Sequence, residues 1–434
     1  MKLLILILIP FFLNAETLKL DYAAAKKQLF EQNREILQAA QSVADAEGRL
    51  TEANSGYLPK LSLLGTYNYM SAIPAMQISL PGPINKIIQT GANDNWAFKA
   101  TVNQTLFDWG RMFLVPEIAG KGLESSNLEF EQVKAQALFG LNQAFYSVLL
   151  SKKIMETNEE SFKLAEENLR ESETRLKTGA ASTFDLLRAK VRVSNIKPLV
   201  VKSSNNVELS RQNLKSILGL PLVQEIDFTG DFKDAEETGP EYKAMEFVTA
   251  LKKALADRVE IKKARAKKEM AEASVALNLT YDKPLLSGSL SYNYQNPYFS
   301  QLAWVESWNA GLVLSIPIFD GFSTAGKTKS AEAAMKSAEI AIIQVENMVE
   351  LEVKQALLNI NEAKDRIISQ TDSVKQAEEY YKIAEKSYSS GVNTNYDVMD
   401  AHLSLLTART AYLQALYDLT VAKAAYLKAI GELR

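Results

Sequence analysis

LKTGAASTFDLLRA at 176–189 and YSSGVNTNYDVMDA at 388–401 are two versions of one phrase. Gly179 matches Gly391, Asp185 matches Asp397 and Ala189 matches Ala401, each 212 positions on (391 − 179 = 212). The same shift carries Leu106-Phe107-Asp108 onto Ile318-Phe319-Asp320, and Gly219 onto Gly431. Upstream it becomes 225 (284 − 59 = 225), pairing Pro59 with Pro284 and Ile36 with Ile261. The first copy therefore holds 13 extra residues between its proline and its Phe-Asp pair. Register kept over so much of a chain marks an internal duplication.

Each copy runs through the same elements. A stretch rich in Ala, Glu, Lys and Gln, 18–54 and 242–278, predicts a helix. Two strand-like segments follow around a Gly/Pro/Asn loop. A very long helix is expected over about 111–177 and 322–389, then a glycine turn, then a shorter helix over about 183–218 and 395–430. Pro116 reads as first-turn proline, and Pro198 as a kink in its helix. A helix of 67 residues is roughly 100 Å long, at 1.5 Å per residue. The two shorter helices of a copy sum to nearly that length, so end-to-end stacking beside the long one is the natural arrangement. The chain then divides into a leader at 1–15, a first repeat at 16–219, a linker at 220–241 and a second repeat at 242–434. The linker is expected to form a small irregular collar partway along the rod.

The strand segments alternate apolar and polar. Leu61, Leu63, Tyr67 and Tyr69 oppose Ser62, Leu64, Thr66 and Asn68, and Trp96, Phe98, Ala100 and Val102 oppose Lys99, Thr101 and Asn103. Leu286, Leu290, Tyr292 and Tyr294 oppose Ser287, Ser289, Ser291 and Asn293; Trp308 to Ile318 continues the pattern. All four tryptophans lie in or beside these segments. Period two over about ten residues with aromatics near the ends is the pattern of transmembrane β-strands. A soluble sheet would need helices to cover its apolar face, and none is left over. Four strands cannot close a barrel, and lipid tolerates no open edge, so the count calls for several copies of the chain. The 72–94 loop should face the cell exterior, either folded over the barrel mouth or as an ordinary structured loop.

Bulk properties agree. The 434 residues are 47% hydrophobic with a net charge of −3, which offers no footprint for nucleic acid. With no cysteine and a single histidine, His402, there is no thiol nucleophile, no metal cluster and no expected cofactor. His402 reads as packed or solvent-facing. Met1-Lys2, the apolar run Leu3–Leu13 and Asn14-Ala15 read as a secretory signal peptide, too short to span a bilayer. Export without a long apolar helix leaves the periplasm, the exterior or the outer membrane.

The chain resembles the TolC-like outer membrane efflux proteins over essentially its whole mature length. The duplicated element order carries the resemblance, with the exits LFDWG at 106–110 and IFDGF at 318–322 and the turns TGAASTFD and SGVNTNYD. The resemblance implies an α+β membrane protein: a homotrimer in which each chain gives four strands to an outer-membrane β-barrel continuous with a long periplasmic helical barrel. It implies a passive exit channel for tripartite efflux or type I secretion, partnered by a periplasmic adaptor and an inner-membrane pump, and not an enzyme. It places a periplasmic gate at Tyr388, Asn393, Asp397 and Asp400 with Asp185 from the first copy, and adaptor-docking tips at Gly179-Ala180 and Gly391-Val392. In that family the two acids form rings that favour cations. Asn393 stands where such proteins carry a basic residue, which removes an ionic latch, while Tyr388 remains able to reach Asp185.

Elementary helix chemistry offers a second reading of two of these acids. Ser182-x-x-Asp185 and Thr394-x-x-Asp397 are capping arrangements, so each acid fits a cap, a gate residue or both. Asp400 differs, because its first-copy counterpart is Arg188 and helix architecture demands no acid there. The competing function is a periplasm-spanning structural or adhesive coiled-coil protein whose strands form a soluble cap.

Overall fold

The structure, a computed structural model, describes residues 18–73, 75–79, 85–89, 91–232, 245–298 and 303–433. The expected leader, linker residues 233–241 and parts of the 72–94 loop lie outside them. Contacts divide the chain into two compact units, and each draws on both sequence copies.

The first unit comprises Ser42–Asn127 and Lys263–Ile342. Its centre is an antiparallel sheet of β2 (Lys60–Tyr69), β5 (Asp94–Phe107), β7 (Leu285–Asn296) and β8 (Val305–Ser315), hydrogen-bonded in that order. The register sets Leu63 opposite Ala100, Ala100 opposite Tyr292 and Tyr292 opposite Trp308. Most apolar positions therefore fall on one face, and Ser62, Thr101, Ser291 and Asn309 line the other together with Leu64 and Val313. The apolar face is bare: Leu63 is 78% exposed, Trp308 73% and Leu312 72%. Aromatic rings gather at both ends of the aliphatic band. Tyr67 meets Trp96, and Tyr294 and Phe98 meet Trp304. At the strand exits Phe107 meets Trp109 and Phe319 meets Phe322. The last strand stops at Ser315 instead of reaching Ile318, since Pro317 has no N–H for a ladder. Within the 72–94 loop, β3 (Ala75–Ser79) and β4 (Asn85–Gln89) pair as a hairpin.

Each strand exit starts a long helix by the same device. Asp108 accepts from the Met112 amide at 2.9 Å and Asp320 from the Thr324 amide at 2.7 Å. The two residues after each aspartate turn through positive φ: Trp109 and Gly110 at 58° and 91°, Gly321 and Phe322 at 65° each. The helices α3 (Arg111–Lys177) and α7 (Ser323–Ser389) are each 67 residues long. Pro116 is the sixth residue of α3, beyond its first turn, and α4 (Thr183–Ile217) runs on through Pro198.

The second unit comprises Met1–Gln41, Leu128–Lys262 and Ile343–Arg434. The stretch expected as one helix over 18–54 is three elements. Leu18–Leu20 forms β1, followed by α1 (Tyr22–Gln32, capped by Asp21) and α2 (Arg34–Asn54). Its second-copy counterpart breaks likewise into α5 (Phe247–Asp257) and α6 (Val259–Asn278). The linker is not wholly irregular, because Ile226–Phe228 forms β6 and pairs in parallel with β1. The final helix is α8, Asn395–Ala429. One continuous core holds this unit, with Leu29, Leu141, Phe145, Tyr146, Leu214, Phe228, Val353 and Tyr426 fully buried.

Candidate functional site: the paired helix-hairpin tips

The two phrases that reveal the duplication form the turns from α3 to α4 and from α7 to α8. Each long helix ends on a glycine in the left-handed region, Gly179 at φ 75° and Gly391 at 77°. Ala180 donates its amide to the Arg175 carbonyl at 2.8 Å, and Val392 to that of Ser387 at 2.9 Å, the six-to-one closure that stops a helix. Val392 is 78% exposed at its apex.

Each following helix starts with a hydroxyl and a carboxylate. Ser182 donates its hydroxyl to Asp185 Oδ2 at 2.7 Å, and the Asp185 amide returns to Ser182 Oγ at 3.2 Å. Thr394 donates both hydroxyl and amide to Asp397 Oδ2, at 2.7 and 2.9 Å. Those two donors hold the Asp397 carboxyl below the usual range, which keeps it ionised. Both acids are thus helix caps in the folded chain.

Behind the second turn Ala384, Tyr388, Val398 and Ala401 form a small apolar cluster. Arg175, one turn before the first glycine, reaches across to it. Its guanidinium lies 4.4 Å above the Tyr388 ring, donates to the Tyr388 carbonyl at 3.2 Å and pairs with Glu171 at 2.8 Å. The Tyr388 hydroxyl is buried without a partner, so the reach to Asp185 is not made in this chain. Asn395 also crosses between copies, donating to buried Ser172 Oγ at 3.1 Å. Asn393 closes the turn through its backbone, donating to the Ser387 carbonyl at 3.2 Å.

Asp400 lies one turn along α8 and accepts from the Tyr380 hydroxyl at 3.2 Å. Burial first, and then this carboxylate, raise the Tyr380 pKa, so the phenol remains a donor. Arg188, the counterpart of Asp400, spreads over the Phe184 ring at 4.1 Å and the Tyr396 ring at 5.4 Å. Deeper in, His402 is packed rather than solvent-facing. It is 6% exposed, pairs with Ser161 Oγ at 3.1 Å and lies 5.6 Å from the Tyr381 ring. Arg409 ties Glu160 of α3 to Glu378 of α7.

Of the residues anticipated from sequence, Asp185, Asp397 and the glycines lie at the two turns, while Tyr388 and Asp400 lie on the helices flanking the second. Arg175, Tyr380 and the rings around Arg188 were not anticipated. A cation in the last turn of a helix was a visible hint for Arg175, because it meets the dipole favourably. Its cross-copy partner had no sequence signal.

The chain matches the family described as Outer membrane efflux protein over residues 26–220 and 250–432. It is 22% identical over 424 residues to the outer membrane protein TolC of Vibrio cholerae, covering 96% of this chain and 91% of that one. It is 21% identical to the nodulation protein T of Rhizobium leguminosarum bv. trifolii, over 90% of this chain and 81% of that protein. Its fold is similar to that of the outer membrane protein VceC of Vibrio cholerae, with a TM-score of 0.78, 18% identity and coverage of 94% and 96%. CusC is likewise similar, with a TM-score of 0.80, 17% identity and coverage of 96% and 93%.

Proposed function

Since the chain belongs to the outer membrane efflux protein family, we propose that it is the passive exit channel of an efflux pump or a type I secretion system. One observation carries the reading. The sheet presents a bare apolar face between two aromatic groups, and among the described residues its edge strands β2 and β8 each lack a partner on their outer side. In lipid an open edge leaves backbone groups unsatisfied at several kcal/mol each, whereas in water the bare face would be the liability. Pairing β8 of one copy with β2 of the next removes both edges, and three copies of four strands make a twelve-stranded barrel. The protein is then a homotrimer in the outer membrane whose helices occupy the periplasm. A periplasmic scaffold with a soluble cap has no cover for that face.

The channel makes and breaks no covalent bonds; an inner-membrane pump working through a periplasmic adaptor supplies the energy. The gate is the set of hairpin tips, with Asp397 and Asp400 shaping ion passage. Tyr388, Asn393 and Asp185 hold the local turns, and Arg175 fastens one hairpin to the other as a positioning residue. The exposed turns Gly179-Ala180 and Gly391-Val392 are the surface offered to the adaptor.

The test is single-channel recording in planar bilayers of trimer purified from the outer-membrane fraction, with Asp397→Ala/Asp400→Ala alongside. Discrete openings whose conductance or selectivity changes in the double variant support channel and gate together. Openings indifferent to both changes retain the channel and remove the gate assignment. Release of the protein by osmotic shock without detergent would sink the membrane reading.

A further inference from the structure

Two charges occupy one position in the two copies. Arg188 and Asp400 are 212 residues apart (400 − 188 = 212), and each follows its cap by six residues, at Ser182 and Thr394. Both therefore stand at the same height on their helices, about 9 Å beyond the cap. Arg188 is not kept to its own helix. Its guanidinium rests on Phe184 and also on Tyr396 of α8, and Tyr396 and Asp400, four residues apart, share one face of α8. A fixed cation is thus laid along the face that carries the acid. Aromatic rings hold it, which positions the guanidinium without neutralising it. Asp400 meets a neutral phenol, and among the described residues neither charge has an ion-pair partner. Asp397, by contrast, spends its charge on the Thr394 donors and the helix start.

We propose that Arg188 is a selectivity determinant of the tip. Its charge offsets that of Asp400, so that anionic and cationic solutes cross the constriction with little discrimination by sign. Both charges stay within a Debye length of about 8–10 Å of solutes passing close to them, near enough to act on their passage. This rests on reading the hairpin tips as the gate of an exit channel.

The experiment is reversal potential in planar bilayers across a tenfold KCl gradient, using the full-length trimer. The native protein is expected to show a potassium-to-chloride permeability ratio near one. Arg188→Gln should raise the ratio several-fold, Asp400→Asn should lower it below one, and the double variant should return it toward the native value. Arg188→Lys, which keeps the charge on a different contact with the rings, should behave as native. A strongly cation-selective native channel, or a conducting Arg188→Gln trimer with an unchanged ratio, overturns the proposal. Absence of any current from folded native trimer instead overturns the channel reading beneath it.

Discussion

Asn33 and Arg258 hold the same joint in the two copies with different chemistry. They are 225 residues apart (258 − 33 = 225), and each lies in the one-residue break between two helices. Asn33 Nδ2 donates to the Ile217 carbonyl at 2.7 Å, and Arg258 Nη1 to the Ala429 carbonyl at 3.4 Å, carbonyls that themselves correspond at the 212 shift. Both side chains thereby satisfy a helix-end carbonyl that has no partner inside its own helix. Arg258 adds a forked contact to Glu260 and a second ion pair to Glu352.

The asymmetry predicts unequal costs. Asn33→Ala removes the bond to Ile217 and the Ile36 amide cap, worth about 1–2 kcal/mol together. Arg258→Ala leaves Glu260 without its cation in a mostly buried position, and should cost about 2–4 kcal/mol, less than a fully buried pair because Glu352 is 43% exposed. Arg258→Asn, which transplants the first copy's solution, should recover part of the loss. Thermal unfolding of the detergent-solubilised protein would rank the three.

The glycines beside these joints separate backbone strain from collision. A Cβ at Gly219 would lie 2.2 Å from the Gln32 carbonyl oxygen, with φ at 72°, whereas at Gly431 the nearest atoms are 3.4 Å away. At Gly391 the φ is 77° and nothing lies within 4 Å. Gly391→Ala should therefore cost only the left-handed strain, about 1–2 kcal/mol. Gly431→Ala should cost slightly more, and Gly219→Ala should prevent accumulation of folded protein. Yield and protease resistance of the three variants would show this order or refute it.

Arg175 makes a prediction about gating. Arg175→Ala removes the stacking on Tyr388 and the carbonyl bond that cross between hairpins, leaving Asn395–Ser172 as a polar link there. Folding should be little affected, because the Glu171 partner of this cation is 46% exposed and that pair adds little, while the tip loosens and open-state occupancy in bilayer recordings rises. Arg175→Lys, which keeps charge but cannot fork over the ring and the carbonyl, should fall between. Unchanged opening in Arg175→Ala would show that the contact is merely structural.

Much of this was legible in the sequence because it is written locally. The bounds of α3, the alternation of β2 and the cap acids follow from periodicity, turn glycines and Ser/Thr-to-Asp spacing. What was missed depends on partners distant in sequence. Leu18–Leu20 reads as helix until Ile226–Phe228 supplies a strand to pair with. The break at Asn33 is fixed by Ile217, and the Tyr388 ring is claimed by Arg175 from the other copy. Asp185 and Asp397 kept two meanings in sequence, and the structure adds the capping bonds without removing their place at the turns.

His402 makes the tip region sensitive to acid. Burial, then the nearby Arg192 and Arg409, push its pKa down from 6.5 to about 4. The groups around it offer no compensating anion at contact distance. Ser161 is neutral, Tyr381 stays protonated because burial pushes its pKa to about 12, and Glu160 and Glu378 are engaged by Arg409. The unfolded chain therefore binds a proton between pH 6.5 and 4 that the folded chain refuses, so this contribution is complete above 6.5 and is lost on acidification. The full difference is about 3 kcal/mol at one pKa unit per 1.36 kcal/mol. His402→Gln retains an amide to meet Ser161 and cannot take up a proton. Stability of the native protein should fall between pH 7 and pH 4.5, and that of His402→Gln should fall less over the same range. Parallel losses in the two proteins over that range would remove His402 as the cause, since Asp397, with its depressed pKa, loses its contribution only at lower pH.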